Sequence, residues 1–317
     1  MSQVGPALSV ILATPDTFET VQETVRHLRA QSVVDQIELV LVAPSKEALQ
    51  LHEADVAGFN RHQVVEIGRV TSIGSSNAKG IRAAGAPIVA LAEDHAYPVP
   101  GWAEALIDAH HRYAAVGSVI RHPNDPRSAV AWADTLIAFG EYMLPIESGV
   151  VDRLPGNNSS YKRDLLLAYG DRLETMMETE TLIQADLKAQ GHQLYLDARA
   201  QLSHWAFETL TSYMAIKYLS GRVFGAARAR ECSVFRRAAY ACATPLIPLV
   251  RYRRLRPRWK ACSTVVTLPS GTMAMAWLGL AISAVGELTG CCFGPGEAVA
   301  RRERLEFHRT VHLVPRR

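Results

Sequence analysis

The sequence lacks the patterns by which several common function classes are recognised. Its five cysteines, Cys232, Cys242, Cys262, Cys291 and Cys292, all fall in the last third, and no Cys-x-x-Cys pair occurs. An odd number without paired spacing argues against both a disulfide framework and a zinc site, and free thiols suit a reducing compartment. The junction between the first strand-like and first helix-like segments reads Ala13-Thr14-Pro15-Asp16-Thr17, with no glycine. A dinucleotide-binding dehydrogenase would need Gly-x-Gly-x-x-Gly there, and the P-loop pattern is absent as well. Aromatic residues are few, at 7%, too thinly interleaved with the basic residues to suggest nucleic acid as a partner, and no recognition motif is present. The opening Met1-Ser2-Gln3-Val4-Gly5-Pro6 has no basic region followed by an apolar core, so no signal peptide is expected and the folded part should stay in the cytosol.

What is present is an apolar globular composition with a lopsided charge. The 317 residues suit one large domain or two modest ones. The net charge of +3 conceals a block between Gly221 and Lys260 that holds 11 Arg and Lys against one acid, Glu231. Ala261 to Gly286 then contains no charged residue. That length could cross a bilayer, although Ser, Thr, Gly and Pro269 dilute it; interfacial burial, or a helix packed on the rest of the chain, fits as well. A basic block beside apolar sequence predicts contact with an anionic membrane surface.

The first ~200 residues alternate strand-like and helix-like segments, which predicts an α/β fold with a doubly wound, mostly parallel sheet. Leu8 to Ala13, Ile37 to Val42, Val64 to Ile67, Ile88 to Ala92 and Ala115 to Ile120 read as strands. Asp16-Thr17-Phe18-Glu19 has capping-box spacing, and Phe18, Val21, Val25 and Leu28 form one helical stripe. Helices are expected over Lys46 to Ala54, Asn77 to Ala84, Gly101 to Tyr113 and Ser128 to Glu141. His110 and His111 fall on an exposed-looking helix face and receive no role, and Trp102 and Trp132 read as packing residues. The most informative junction is Ile88 to Ala92 running into Glu93-Asp94-His95. Ligands of open α/β sheets bind just beyond the carboxyl ends of such strands. Two carboxylates and an imidazole there are suitable ligands for a divalent cation that would hold a diphosphate.

Taken in order, these segments resemble a family 2 glycosyltransferase with the GT-A fold, over roughly residues 7 to 205. Leu8-Ser9-Val10-Ile11-Leu12-Ala13-Thr14-Pro15 resembles the opening strand and nucleotide-receiving turn, and Ile37 to Val42 the second strand. Asn77-Ala78-Lys79-Gly80-Ile81-Arg82-Ala83-Ala84 resembles the helix that carries Arg-Asn-x-Gly, and Glu93-Asp94-His95 stands at the DxD metal motif. Gly156-Asn157-Asn158-Ser159-Ser160-Tyr161-Lys162-Arg163 resembles the acceptor-side loop. Glu178-Thr179-Glu180, about one helix before Gly191-His192, resembles the catalytic acid pair, and His204 a histidine near the nucleotide. Two departures stand out. Ala43-Pro44-Ser45 replaces the Asp-Asp-Gly-Ser whose acid contacts the nucleotide, and Glu93 and His95 replace two aspartates, which suits Mn2+ at least as well as Mg2+.

The resemblance implies sugar transfer from a nucleoside-diphosphate sugar, with inversion, to a glycan, lipid-linked or cell-envelope acceptor. Glu93, His95 and His204 would hold the cation, Mn2+ or Mg2+, with His204 also open to a phosphate or packing role beside Trp205. Thr14, Pro15, Asp16, Ala43, Asn77, Lys79 and Asp94 would bind the nucleotide-sugar; Asp94 could instead bind the metal, and Asp16 could be a helix cap. Asn157, Asn158 and Ser159 would meet the acceptor, and Lys162 and Arg163 would meet phosphate or solvent. Glu180 is the expected base, with Glu178 as its substitute; if Met176 to Gln190 is one solvated helix, both are surface charges. The expected organisation is a catalytic domain over 1–205 and a helical, basic and apolar region over 206–317. That region would lie against the cytoplasmic face of the cell membrane, peripheral or C-terminally anchored. The missing acid at Ala43-Pro44 leaves an alternative, a catalytically silent nucleotide-sugar-binding scaffold of a glycan assembly complex.

Overall fold

A computed structural model of the chain describes residues 5–123, 126–178, 180–230 and 232–309. Met1 to Val4, Thr179 and Glu231, named above, lie outside the described residues. In chain order the first elements are β1 (Leu8–Ala13), α1 (Gln22–Arg29), β2 (Ile37–Ala43), α2 (Lys46–Leu49), β3 (Arg61–Glu66), α3 (Ile73–Ala83) and β4 (Ile88–Ala92). There follow β5 (Ala96–Pro98), α4 (Trp102–Ala109), β6 (Ala115–Pro123), α5 (Ala129–Phe139), β7 (Gly149–Val151), β8 (Ser159–Lys162), α6 (Arg163–Leu167), α7 (Leu173–Met177), α8 (Glu180–Ala189) and β9 (Leu194–His204). The chain continues through α9 (Leu210–Arg230), α10 (Val234–Ala243), α11 (Ile247–Cys262), α12 (Thr272–Phe293) and α13 (Ala298–Phe307). It forms two compact units, one of Met1–Arg121 with Ile146–Ser203, the other of His122–Pro145 with His204–Arg317.

The first unit is the expected α/β sheet with helices. Its strand order is β3-β2-β1-β4-β8-β6-β9-β5, with β7 paired to β9. β3, β2, β1 and β4 run parallel, and β8 pairs antiparallel with both β4 and β6. The parallel strands are the continuous apolar runs of the sequence, and β2 is buried along its whole length, as strands covered on both faces are. Phe18, Val21, Val25 and Leu28 are all buried on the α1 side, each side chain contributing about 1.5–3 kcal/mol. α3 lies so close to the sheet that a Cβ on Gly80 would come 2.4 Å from Ile11 Cγ2; only glycine permits that approach.

Several elements differ from expectation for identifiable reasons. The capping box does not form: a 3-10 turn spans Phe18–Thr20, its N-cap is Thr17, and α1 begins at Gln22. Asp16 instead turns back, its N–H donating to Thr14 Oγ1 at 3.2 Å. The helix after Ser45 is a single turn, stopped by Gln50 in the left-handed region at φ 54°. α3 starts one turn earlier than expected, because Ser72 Oγ accepts from the Ser75 N–H at 3.1 Å and caps it. His110 is buried rather than exposed, its Nε2 2.8 Å from Ser160 Oγ, and burial pushes its imidazole down to about 4. Trp102 and Trp132 are packing residues, both buried.

The second unit is helical, and α12 runs through its middle, in contact with α9, α5, α10 and α11. Glycines set the α9–α12 crossing. A Cβ on Gly225 would lie 2.1 Å from the Glu287 carbonyl oxygen, and one on Gly290 2.0 Å from that of Arg222. The buried carboxylate of Asp134 pairs with Lys217 Nζ at 2.6 Å and accepts from the Phe207 N–H at 3.1 Å. Among the described residues, α12 is the one helix long and apolar enough to cross a membrane, by length and composition alone.

Candidate active site and metal centre

A strand register builds the site. β4 and β8 pair with Ala90 opposite Ser160 and Val89 opposite Tyr161. Continuing that register brings Asn157 opposite Glu93, and the Asn158 N–H donates to the Leu91 carbonyl at 2.6 Å. Asn157 and Asn158 both have positive φ, 32° and 57°, a conformation asparagine tolerates better than most residues. Their two side chains close on one carboxylate. Asn157 Nδ2 donates to Glu93 Oε1 at 2.9 Å and Asn158 Nδ2 to Glu93 Oε2 at 2.6 Å. Thr24, on the buried face of α1, donates its hydroxyl to the Glu93 backbone oxygen at 3.0 Å.

Glu180 joins the same network from the first residue of α8. Its Oε2 accepts the Asn157 N–H at 2.6 Å, so Asn157 bridges the two carboxylates. Burial pushes the Glu180 carboxyl up to about 8; the Asn157 N–H opposes the shift and the charge of Glu93 adds to it. A carboxyl tuned near neutrality can take or give a proton under working conditions. Glu178 is in a different situation. It is exposed, at the break between α7 and α8, and bonded to the Ser72 hydroxyl. The two acids therefore do not lie on one solvated helix.

His95 Nδ1 donates to Asp94 Oδ1 at 2.5 Å, and its Nε2 lies 3.8 Å from Glu93 Oε1. A carboxylate on one imidazole nitrogen fixes the ring and orients the other nitrogen, the usual support of a metal-ligating histidine. β9 ends on His204, so this histidine is carried by the strand that runs through Leu194–Ser203; its ring is tilted against Phe139 at 4.5 Å. Glu93, His95 and His204 each offer one ligand atom, all within 4.8 Å of one another. One carboxylate oxygen and two imidazole nitrogens form a donor set that fits a divalent cation such as Mn2+.

The other expected binding residues are scattered around this centre. Thr14 is buried, its N–H donating to the Val42 carbonyl at 3.0 Å, while Pro15 and Asp16 are partly exposed. Ala43 is wholly buried, with its carbonyl accepting from the Ile67 N–H at 3.0 Å. Asn77 is buried on α3, and its Nδ2 has no acceptor among the described residues; Lys79 is half-buried on the same helix. Ser159 is buried in β8 and donates its hydroxyl to the Pro155 carbonyl at 2.6 Å. Lys162 is exposed, and Arg163 donates to the carbonyls of Ile81 and Arg82 at the end of α3. Sequence reasoning passed over Thr24 and Gln184. Gln184 holds the loop before β8 by accepting the Leu154 N–H at 2.9 Å and donating to Tyr161 Oη at 3.3 Å. In each case the signal was a polar side chain at a buried helix position.

No family model matches the chain, and no curated protein matches its sequence. Solved structures do. The chain superposes with a TM-score of 0.52 at 14% identity, over 92% of its length and 88% of the other's, on the mannosyltransferase PcManGT from Pyrobaculum calidifontis, in complex with GDP-Man and Mn2+. The chain has the GT-A fold. A second structure, GalNAc-T7 with UDP, GalNAc and Mn2+, is similar over 63% of this chain and 43% of that one, at 13% identity and a TM-score of 0.46. Within the GT-A fold, Glu93, Asp94 and His95 directly follow β4, the last of the four parallel strands.

Proposed function

We propose that the protein is a metal-dependent glycosyltransferase of family 2, moving a hexosyl or related sugar from a nucleoside-diphosphate donor to a glycan, lipid-linked or cell-envelope acceptor with inversion. The observation that carries this reading is the Asn157 bridge, which joins an acid tuned to about 8, Glu180, to the carboxylate of a Glu93-His95-His204 donor cluster. The fold likeness to a mannosyltransferase solved with GDP-Man and Mn2+ supports it. A cation bound there would neutralise charge on the departing diphosphate. Glu180 takes the proton of the acceptor hydroxyl, and Asn157 holds that carboxylate in place. Asp94 orients His95. Asn77, with an uncommitted amide on α3, together with Thr14, Pro15, Asp16 and Lys79, contributes to the donor pocket. Residues 206–317 bring the protein to the cytoplasmic face of the membrane.

The test is a donor hydrolysis and transfer screen across UDP-, GDP- and dTDP-sugars, with and without Mn2+, on detergent-extracted full-length protein. Turnover of one donor class that requires the cation is expected. A second reading rests on Ala43, buried and backbone-bonded at the position where the family carries a nucleotide-contacting acid. Under that reading the protein is a silent nucleotide-sugar-binding scaffold. Donor binding by calorimetry without turnover would favour it, and binding of no donor would overturn both readings.

A further inference from the structure

The segment from α10 to α11 carries an exposed apolar stripe. The backbone stays right-handed helical through Ala243, Thr244, Leu246 and Ile247, so α10, the 3-10 turn Thr244–Leu246 and α11 make one helical run. Four of its polar side chains, on Arg237, Tyr240, Thr244 and Arg251, are bonded within the second unit. Arg237 donates to the Cys291 carbonyl at 2.8 Å, and Tyr240 and Arg251 both bond the carboxylate of Glu287, a buried residue of α12. Thr244, also buried, donates to the Tyr240 carbonyl at 3.0 Å.

One stripe of apolar and small side chains faces outward, while Pro248 is buried and Leu255 packs on the core of the second unit. Phe235, Ala239, Cys242, Leu246 and Leu249 follow one another at steps of four and three, and all are exposed. Phe235 is 88% exposed and Leu246 61%. Such spacing keeps residues on one face of a helix. The stripe then continues at the same steps in Arg253, Arg256 and Lys260, exposed as well. From Cys232 to Cys262 the sequence contains no acid. Exposed cations are ordinary on a water-facing helix; a contiguous stripe of exposed large apolar side chains is not. An apolar stripe continued by cations matches the boundary between lipid acyl chains and anionic headgroups.

We propose that this face of α10 and α11 docks on an anionic lipid bilayer, with Phe235, Leu246 and Leu249 entering the acyl boundary and Arg253, Arg256 and Lys260 meeting headgroup phosphates. The inference deepens the membrane part of the proposed function and is independent of glycosyl transfer. α12 then lies inside the second unit, its Glu287 neutralised by Arg251, and membrane contact needs no spanning segment.

The test is co-sedimentation of the full chain with vesicles of phosphatidylcholine alone and of equimolar phosphatidylcholine and phosphatidylglycerol, with folding checked by circular dichroism. The protein is expected to bind the anionic vesicles and to be released by salt. Phe235→Asp with Leu246→Asp, both at exposed positions, should lower that affinity at least about tenfold. Arg253→Glu with Arg256→Glu should lower it about as much and abolish the preference for phosphatidylglycerol. If the wild type binds vesicles and neither pair of substitutions matters, this face is the wrong one while membrane association stands. If the wild type binds neither vesicle, both fall and glycosyl transfer is untouched. A wild type that is dimeric in buffer and becomes monomeric on Phe235→Asp would assign the face to a second copy of the chain and overturn the proposal.

Discussion

The two ends of the parallel sheet each hold a glutamate, and the contrast between them separates structure from chemistry. Glu38, near the start of β2, is wholly buried and saturated with donors: Ser9 Oγ at 2.5 Å, the Gly85 N–H at 2.6 Å, Gln63 Nε2 at 2.9 Å and Arg61 Nε at 3.0 Å. Its donors come from β1, β3 and the turn before β4, so it ties strands together. Glu93, just past the end of β4, is held by two asparagine amides, lies 3.8 Å from an imidazole nitrogen, and is linked through Asn157 to a second carboxyl. A fully compensated buried charge serves the fold. An acid set beside imidazoles and linked to a tuned neighbour, just past a strand end, is placed for chemistry.

The comparison can be broken from either end. The largest expected effect is at Glu180. Glu180→Gln preserves the bond from Asn157 and should lower turnover on the order of 10²–10⁴-fold, measured as initial rates with the identified donor. Because the folded carboxyl titrates near 8, above its ordinary value of 4.5, wild-type turnover should rise as pH increases toward 8. The linkage has the opposite sign for stability. The raised group favours the folded state while protonated, so its contribution is full below 4.5 and is lost as pH climbs through about 8. Denaturant melts across that window should show the loss in the wild type and a flatter profile in Glu180→Gln.

Next in size is Glu38→Ala, which strands the donors around it and should cost about 3–5 kcal/mol, read by chemical denaturation, with turnover of the folded fraction unchanged. A large loss of turnover in the folded fraction would erase the distinction between the two ends. Asp94→Asn removes the carboxylate behind His95 and should weaken Mn2+ binding roughly 10–100-fold, measured by calorimetry, with little change in stability. Smallest is Glu178→Gln, an exposed acid bonded to Ser72, which should leave turnover unchanged; a loss matching that of Glu180→Gln would move the base assignment by two residues.

How much of this was legible depended on whether the information was local. β1, β4 and most of β2 could be read directly because continuous apolar runs bounded by turn residues have few alternatives. The helix starts at Gln22 and Ile73 were harder, since a Thr17 that does not cap and a Ser72 that does look alike in sequence. β5, β7 and β8 span three or four residues each, too few for a period to show. The acids and histidines of the candidate centre were visible as residue types beyond a strand. Asn157 and Asn158 were visible too, but as turn formers and acceptor contacts; that they grip Glu93 follows only from the β4–β8 register. The exposed apolar stripe of α10 and α11 was equally hidden. The Arg-rich composition was plain, yet Arg237, Tyr240 and Arg251 turn inward because Glu287, 36 residues beyond Arg251, lies beneath them.

Metal-dependent transfer requires Glu93, His95 and His204 to form one cation site. The most direct test is calorimetric titration of the full-length protein with Mn2+, repeated on Glu93→Ala, His95→Ala and His204→Ala. A single site in the wild type, weakened at least about a hundredfold by each substitution, is the predicted result. Wild-type affinity retained in all three variants would contradict it.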